Sequence, residues 1–159
     1  MSSQVLREQA PAVESFVRLV RGHAAVTRAM SARLVADHGL TLNQYEALLQ
    51  LAHAEGRRMR RVDLAERLIL TASGVTRLLD GLEEAGYVDR EACASDRRVT
   101  YAVLTEAGLE KLRTAGDSHV ADLRDYFESR FSPEELAQLV VLLDRLPLDG
   151  EQVPPCSVD

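Results

Sequence analysis

The thirteen residues from Asp96 to Gly108, Asp-Arg-Arg-Val-Thr-Tyr-Ala-Val-Leu-Thr-Glu-Ala-Gly, constrain the fold of this chain more than any other stretch. A charged tip, an alternating run and a helix start follow one another with no room for a linker. Asp96, Arg97 and Arg98 come directly after the small-residue turn Cys93-Ala94-Ser95. Val99, Tyr101 and Val103 then alternate with Thr100 and Ala102 at the period of two that marks a half-buried strand. Leu104 closes the run, and Thr105 offers the hydroxyl expected of a helix N-cap. Tyr87 to Ala92 supplies a partner strand upstream, so the pattern predicts a β-hairpin that hands its chain straight to a helix.

The rest of the chain reads as helices around that hairpin. Val13, Phe16, Val17, Val20, Ala24, Thr27, Ser31 and Leu34 share one face and predict a long helix to about Asp37, stopped by His38-Gly39. Thr41 and Gln44 form a capping box for a second helix carrying Tyr45, Leu48, Leu49 and Ala52. After Gly56 comes the run Arg57-Arg58-Met59-Arg60-Arg61, which leads into Val62 as a one-rung strand. Asp63 and Glu66 form a second box, opening a short helix with Leu64, Ala65 and Leu68 inward. A tight turn at Ile69-Leu70 then joins it to a helix capped by Thr71, with Val75, Leu78, Leu79 and Leu82 inward and Gly86 at its end. Two short helices joined in this way make a helix-turn-helix. A helix from Thr105 to about Arg130 follows, which Gly116 is placed to bend, and Ser132-Pro-Glu-Glu135 starts a last helix that runs to Leu146. The expected class is mainly α with a small β-hairpin wing.

The organisation that follows is a flexible start over 1–12, a winged helix-turn-helix over 38–104, a helical region made of 13–37 and 105–146, and a disordered tail over 147–159. At 159 residues and 46% hydrophobic content, one compact domain with a helical appendage accounts for the length. No apolar run approaches the length of a membrane span and no secretory signal is visible, so a cytoplasmic location is expected. Cys93 and Cys156 fit no disulfide framework or metal motif, and the four histidines have no ligand spacing, reading as isolated surface or satisfied polar residues. No metal and no cofactor is expected. Phosphate loops, nucleophile elbows and paired catalytic carboxylates are missing, which argues against an enzyme.

A net charge of −6 does not by itself suit a nucleic-acid partner, yet the charge is unevenly spread. Residues 57–98 hold nine arginines against eight acidic groups, while the remainder holds ten basic groups against seventeen acidic ones. The centre is thus basic relative to its flanks, and where its arginines point matters more than the sum. Ser73, Thr76 and Arg77 fall on the outward face of the second short helix, and a helix entering a major groove needs short polar groups and an arginine near its start. The amides freed near Thr71 suit a phosphate. Arg98 at the hairpin tip suits a narrow minor groove, with Asp96 placed to hold its side chain extended and Arg97 placed for a phosphate. Arg57, Arg58, Arg60 and Arg61 suit backbone phosphates, although such a run also fits a solvated loop.

The spacing of Asp96, Arg98, Leu104, Thr105 and Gly108 resembles the wing signature of the MarR family, and a looser likeness extends from about Val13 to Leu146. The resemblance implies a two-fold dimer knit by its N- and C-terminal helices, with reading helices in successive major grooves of a pseudo-palindromic operator in double-stranded DNA. The long terminal helices carry more apolar positions than the small centre can cover, which also favours a second copy over a monomer folded back on itself. The resemblance further implies a transcriptional regulator, mostly a repressor, released by a small phenolic or anionic ligand held between the dimer helices and the winged domain. Arg18, Arg21, His23 and Tyr45 are the candidates for that crevice. Two other readings stay open, a winged helix used for protein contacts without DNA and a thiol-based redox sensor acting through Cys93.

Overall fold

The computed structural model describes residues 11–93, 95, 96 and 98–146. The tail over 147–159, most of the expected flexible start, and Arg97 with its expected phosphate contact lie outside the described residues. Helix α1 spans Pro11–His38 and ends where Gly39 takes a left-handed φ of 67°. Helix α2, Leu42–His53, starts with the expected capping box: Gln44 N donates to the Thr41 hydroxyl and Thr41 N donates to the Gln44 side chain. A 3-10 turn over Glu55–Arg57 leads into strand β1, Arg58–Arg60, and then helix α3, Arg61–Arg67. Helix α4 covers Ala72–Glu84, strand β2 Val88–Ala92, strand β3 Thr100–Leu104, helix α5 Glu106–Glu128 and helix α6 Pro133–Leu143.

The three strands form one antiparallel sheet in the order β1-β3-β2, with Met59 opposite Ala102 on one side of β3 and Arg90 opposite it on the other. Two local expectations are corrected here. The third strand is centred on Met59 and not on Val62, which lies exposed in α3, because Met59 is the side chain in this run that reaches the core. The box expected of Asp63 and Glu66 does not form. Helix α3 begins three residues earlier, after Arg60, without a side-chain cap, and both Asp63 oxygens accept from the Arg60 guanidinium at 2.7 Å. An ionised pair of this kind outcompetes a neutral amide for the same carboxylate.

The inward face of β3 also differs from the simple alternation. Ala102 and Leu104 are buried, whereas Tyr101 and Val103 are half-buried on the far face, where the Arg58 guanidinium lies 4.8 Å from the Tyr101 ring centre. Helix α5 is continuous through Gly116. A Cβ there would stand 3.5 Å from the Tyr45 hydroxyl, an ordinary contact, so this packing does not require a glycine.

A single apolar cluster joins Leu34 of α1, Tyr45, Leu48 and Leu51 of α2, Leu64 of α3, Val75, Leu79 and Leu82 of α4, the sheet, and Leu109, Leu112 and Ala115 of α5. Wing and α5 are locked at their junction. The Thr105 hydroxyl donates to Gly86 O at 2.8 Å and accepts from Gly108 N at 3.0 Å, and a Cβ on Gly108 would lie 2.1 Å from the Tyr87 carbonyl oxygen. Only glycine permits this approach. Arg33 ties α1 to α5 by donating to Asp122 at 2.7 Å and Asp125 at 3.1 Å. By contrast Phe16 in α1 is 66% exposed, Val140 in α6 is 58% exposed, and α6 has no buried residue. Among the described residues no helix is long and apolar enough to cross a membrane.

Candidate nucleic-acid interface

Helix α4 is held by its inner face, with Val75, Leu79 and Leu82 buried, so Ser73, Arg77 and Asp80 are presented outward. Its start is capped as expected, the Thr71 hydroxyl accepting from Gly74 N at 3.1 Å, with the Ser73 hydroxyl 3.2 Å away. Thr76 differs from its neighbours. Its hydroxyl donates to Ala72 O at 2.8 Å and accepts from the Arg61 guanidinium at 2.7 Å, so its one proton is committed within the protein. A hydroxyl in that state can still accept from a base but cannot donate to one. What it does is hold Arg61 against the start of α4.

The arginines of this surface fall into two groups. Arg57 is bound to Glu106 at 2.6 Å, Arg58 to Glu91 at 3.2 Å and Arg60 to Asp63 through two hydrogen bonds. Arg90 bridges Asp80 and Glu83, both at 2.9 Å. Among the described residues no carboxylate partner is found for Arg61, Arg77 or Arg98. Arg61 and Arg98, with Thr76, Val62, Ala72 and Thr100, line a cleft of about 500 Å³ between the two short helices and the hairpin. A second open cleft, about 680 Å³, lies on the far face of the sheet beside Arg58, Glu91 and Tyr101.

The hairpin tip is closed by the chain itself. Val99 N donates to Asp96 O at 3.0 Å, and the Asp96 carboxylate accepts from Arg98 N at 2.9 Å. Asp96 therefore shapes the turn through the Arg98 backbone, and among the described residues no ion pair joins its carboxylate to the Arg98 guanidinium. An aspartate hydrogen-bonding an amide two residues on is a common way to close such a turn. Cys93 is half-buried at the base of the tip, and hydrogen bonds from the Ser95 hydroxyl and the backbone of Ser95 and Asp96 hold its thiol below the ordinary value. Cys156 lies outside the described residues.

The four ligand candidates differ in their surroundings. Arg18 is exposed and paired with Glu14 one turn earlier, and Arg21 and His23 are exposed on the same helix. Tyr45 is only 2% exposed in the core, its ring centre 4.8 Å from that of His119. His119 departs from the expectation of surface or satisfied histidines. It is 5% exposed, its Nδ1 has no partner among the described residues, and burial holds its imidazole below the ordinary value despite the pull of Asp122. Nearby, burial raises the Glu46 carboxyl, and the charge of His23 opposes that rise. Both groups sit where α1, α2 and α5 adjoin, and neither could be picked out from spacing along the chain. Among the described residues no group of three or more histidine, cysteine or acidic side chains is placed to hold a metal.

Two packed short helices, the second capped and outward-facing, and a hairpin with arginines at its tip define a winged helix-turn-helix. Comparison with known proteins carries this further. The MarR family model matches residues 38–99. The regulator MhqR of Bacillus subtilis is 28% identical over 86% of this chain and 92% of its own. Among solved structures, AbsC, a MarR family transcriptional regulator from Streptomyces coelicolor, is 40% identical with a TM-score of 0.66, covering 79% of this chain and 86% of that one. Sco3205 from the same organism, solved in complex with DNA, is 31% identical with a TM-score of 0.73, covering 86% and 87%. The chain belongs to the MarR family of transcriptional regulators.

Proposed function

We propose that this protein is a dimeric, sequence-specific DNA-binding regulator in which α4 reads a major groove and the hairpin enters the adjacent minor groove. The observation that carries the reading is that, among the described residues, Arg61 and Arg98 around one cleft and Arg77 on the outward face of α4 lack the carboxylates that occupy Arg57, Arg58, Arg60 and Arg90. A free guanidinium can take a base edge or phosphate without first giving up an ion pair. Arg77 is assigned to base edges with Ser73, Arg98 to the minor groove and Arg61 to a phosphate at the start of α4. Arg57, Arg58 and Arg60 contribute to phosphate binding only where DNA displaces Glu106, Glu91 and Asp63.

Two copies are part of the proposal. The exposed Phe16 and Val20 of α1 and Val140 and Leu143 of α6 give a second chain an apolar surface to cover, and pairing sets two reading helices one half-site apart. Repression relieved by a small phenolic or anionic ligand extends the proposal, with family membership as its support, and His23, whose charge reaches Glu46 of α2, and Arg21 on the same helix remain its candidates. Tyr45 would join such a site only if α2 and α5 part around His119. Binding to a duplex enriched from a random pool, followed by anisotropy across a salt series, tests the central reading. Affinity should fall steeply as salt rises, and Arg98→Ala should weaken it. Retention of full affinity by both Arg77→Ala and Arg98→Ala would refute the assignment.

A further inference from the structure

The turn between α3 and α4 carries an unusual side chain. Helix α3 ends with Leu70 N donating to Ala65 O at 2.9 Å and Ile69 N donating to Glu66 O at 3.1 Å, which places Ile69 at the left-handed position of a Schellman motif, with φ of 53°. Glycine occupies that position without strain, whereas a β-branched residue there crowds its own backbone. Ile69 is also 93% exposed. Its neighbour Leu70 turns inward instead, its Cβ lying 3.7 Å from where a Cβ on Gly74 would stand. The free protein thus bears two unfavourable terms at one residue, a strained backbone held by the two hydrogen bonds of the turn and an unburied isoleucine that only a body outside the chain would cover.

We infer that Ile69 is a further DNA-contacting residue, which rests on the DNA-binding reading above and extends it to an apolar contact. The turn lies two residues before Thr71, and a reading helix enters its groove by the end that Thr71 caps. A side chain projecting from that turn meets the duplex beside the first bases read. The group it meets is apolar, either the methyl of a thymine at the groove edge or the carbon face of a deoxyribose. Contact with either removes the isoleucine from water and offsets the strain at the turn.

The test uses the full chain and a duplex enriched from a random pool. Ile69→Gly relieves the backbone, so it should melt no lower than the parent, yet bind roughly fivefold to tenfold more weakly. Ile69→Val and Ile69→Thr share shape and backbone preference, and the threonine variant should be the weaker binder. Replacing each thymine by deoxyuridine separates the two sources. A position where the parent loses affinity and Ile69→Gly does not marks a methyl contact, and indifference at every position marks the sugar. Equal affinity for the valine and threonine variants, or parental affinity for Ile69→Gly, would overturn the inference. If Arg77→Ala weakens binding while the Ile69 variants do not, only this inference falls; if the parent binds no duplex, both fall.

Discussion

The winged centre and the helical ends of this chain are both rich in apolar residues, but only one of them closes on itself. In the centre, Leu48, Leu51, Leu64, Leu79 and Leu82 are sealed between three helices and a sheet. At the ends, Phe16 and Val20 of α1 and Val140, Val141 and Leu142 of α6 face outward. The difference teaches that apolar periodicity specifies a helix face without specifying whose surface it meets. A small sheet with flanking helices can bury its own face, whereas a helix extending beyond that layer needs another body to cover it.

The contrast can be broken most directly by core truncation. Leu79→Ala should cost about 2–5 kcal/mol of unfolding free energy, because it leaves a cavity in a fully packed site. Phe16→Ala in dilute protein should cost far less, and equal losses by denaturant titration would erase the distinction between the regions. Phe16→Asp combined with Val140→Asp should next convert dimers to monomers in light scattering and lower operator affinity by about a hundredfold, given how much specific binding gains from paired half-sites. A variant that stays dimeric would contradict the pairing proposed for these faces.

Within the centre, a smaller contrast separates free from engaged arginines. Arg77→Ala should cost about 1–3 kcal/mol of binding and relax preference at one base position. Arg60→Ala should weaken all duplexes alike and by less than Arg61→Ala, since Asp63 already holds its guanidinium. Anisotropy on the enriched duplex and on single-position variants checks both, and a larger loss for Arg60→Ala would reverse the assignment.

The smallest expected effect lies where centre and ends join. Burial holds His119 below its ordinary value of 6.5, so the unfolded chain takes up the proton first. This contribution to stability is complete above about pH 6.5 and is lost as pH falls toward and through the folded-state value. Glu46 acts in the opposite sense. Its carboxyl is raised above 4.5 by burial, so its contribution is complete below pH 4.5 and is lost as pH rises through the folded value. His119→Phe should therefore flatten the decline in melting temperature below pH 6.5. An unchanged decline would place the titrating group elsewhere.

Several features of the fold were legible because they depend on neighbours in the chain. Thr41 with Gln44, Thr105, and Ser132 with Pro133 and Glu135 cap their helices as expected, each closing hydrogen bonds within three residues. The hairpin was legible from its alternation and the short turn between its strands, whereas its lock onto α5 draws on Gly86, 19 residues before Thr105. Errors arose where one side chain had two possible partners. Asp63 had a capping spacing, but the Arg60 guanidinium three residues earlier took its carboxylate. The third strand was displaced from Val62 to Met59 because pairing with Ala102 selects the residue that reaches the core. At the interface, the sequence located the residues around the cleft but not their occupancy. Arg57, Arg58, Arg60 and Arg61 look alike in a run, and only folding brings Glu106 and Glu91 to two of them and Thr76 to another.

What the amino-acid order determined by itself is the series of helices, the hairpin and the basic stretch between acidic flanks, since capping, periodicity and turn chemistry act over a few residues. Tertiary structure alone decided, among the described residues, which guanidinium lacks a carboxylate, which histidine buries a ring nitrogen without a hydrogen bond and which isoleucine is left strained in water. Those outcomes depend on groups that meet across the fold, where a carboxylate some fifty residues away or the packing of a neighbouring helix sets the charge and solvation of a side chain.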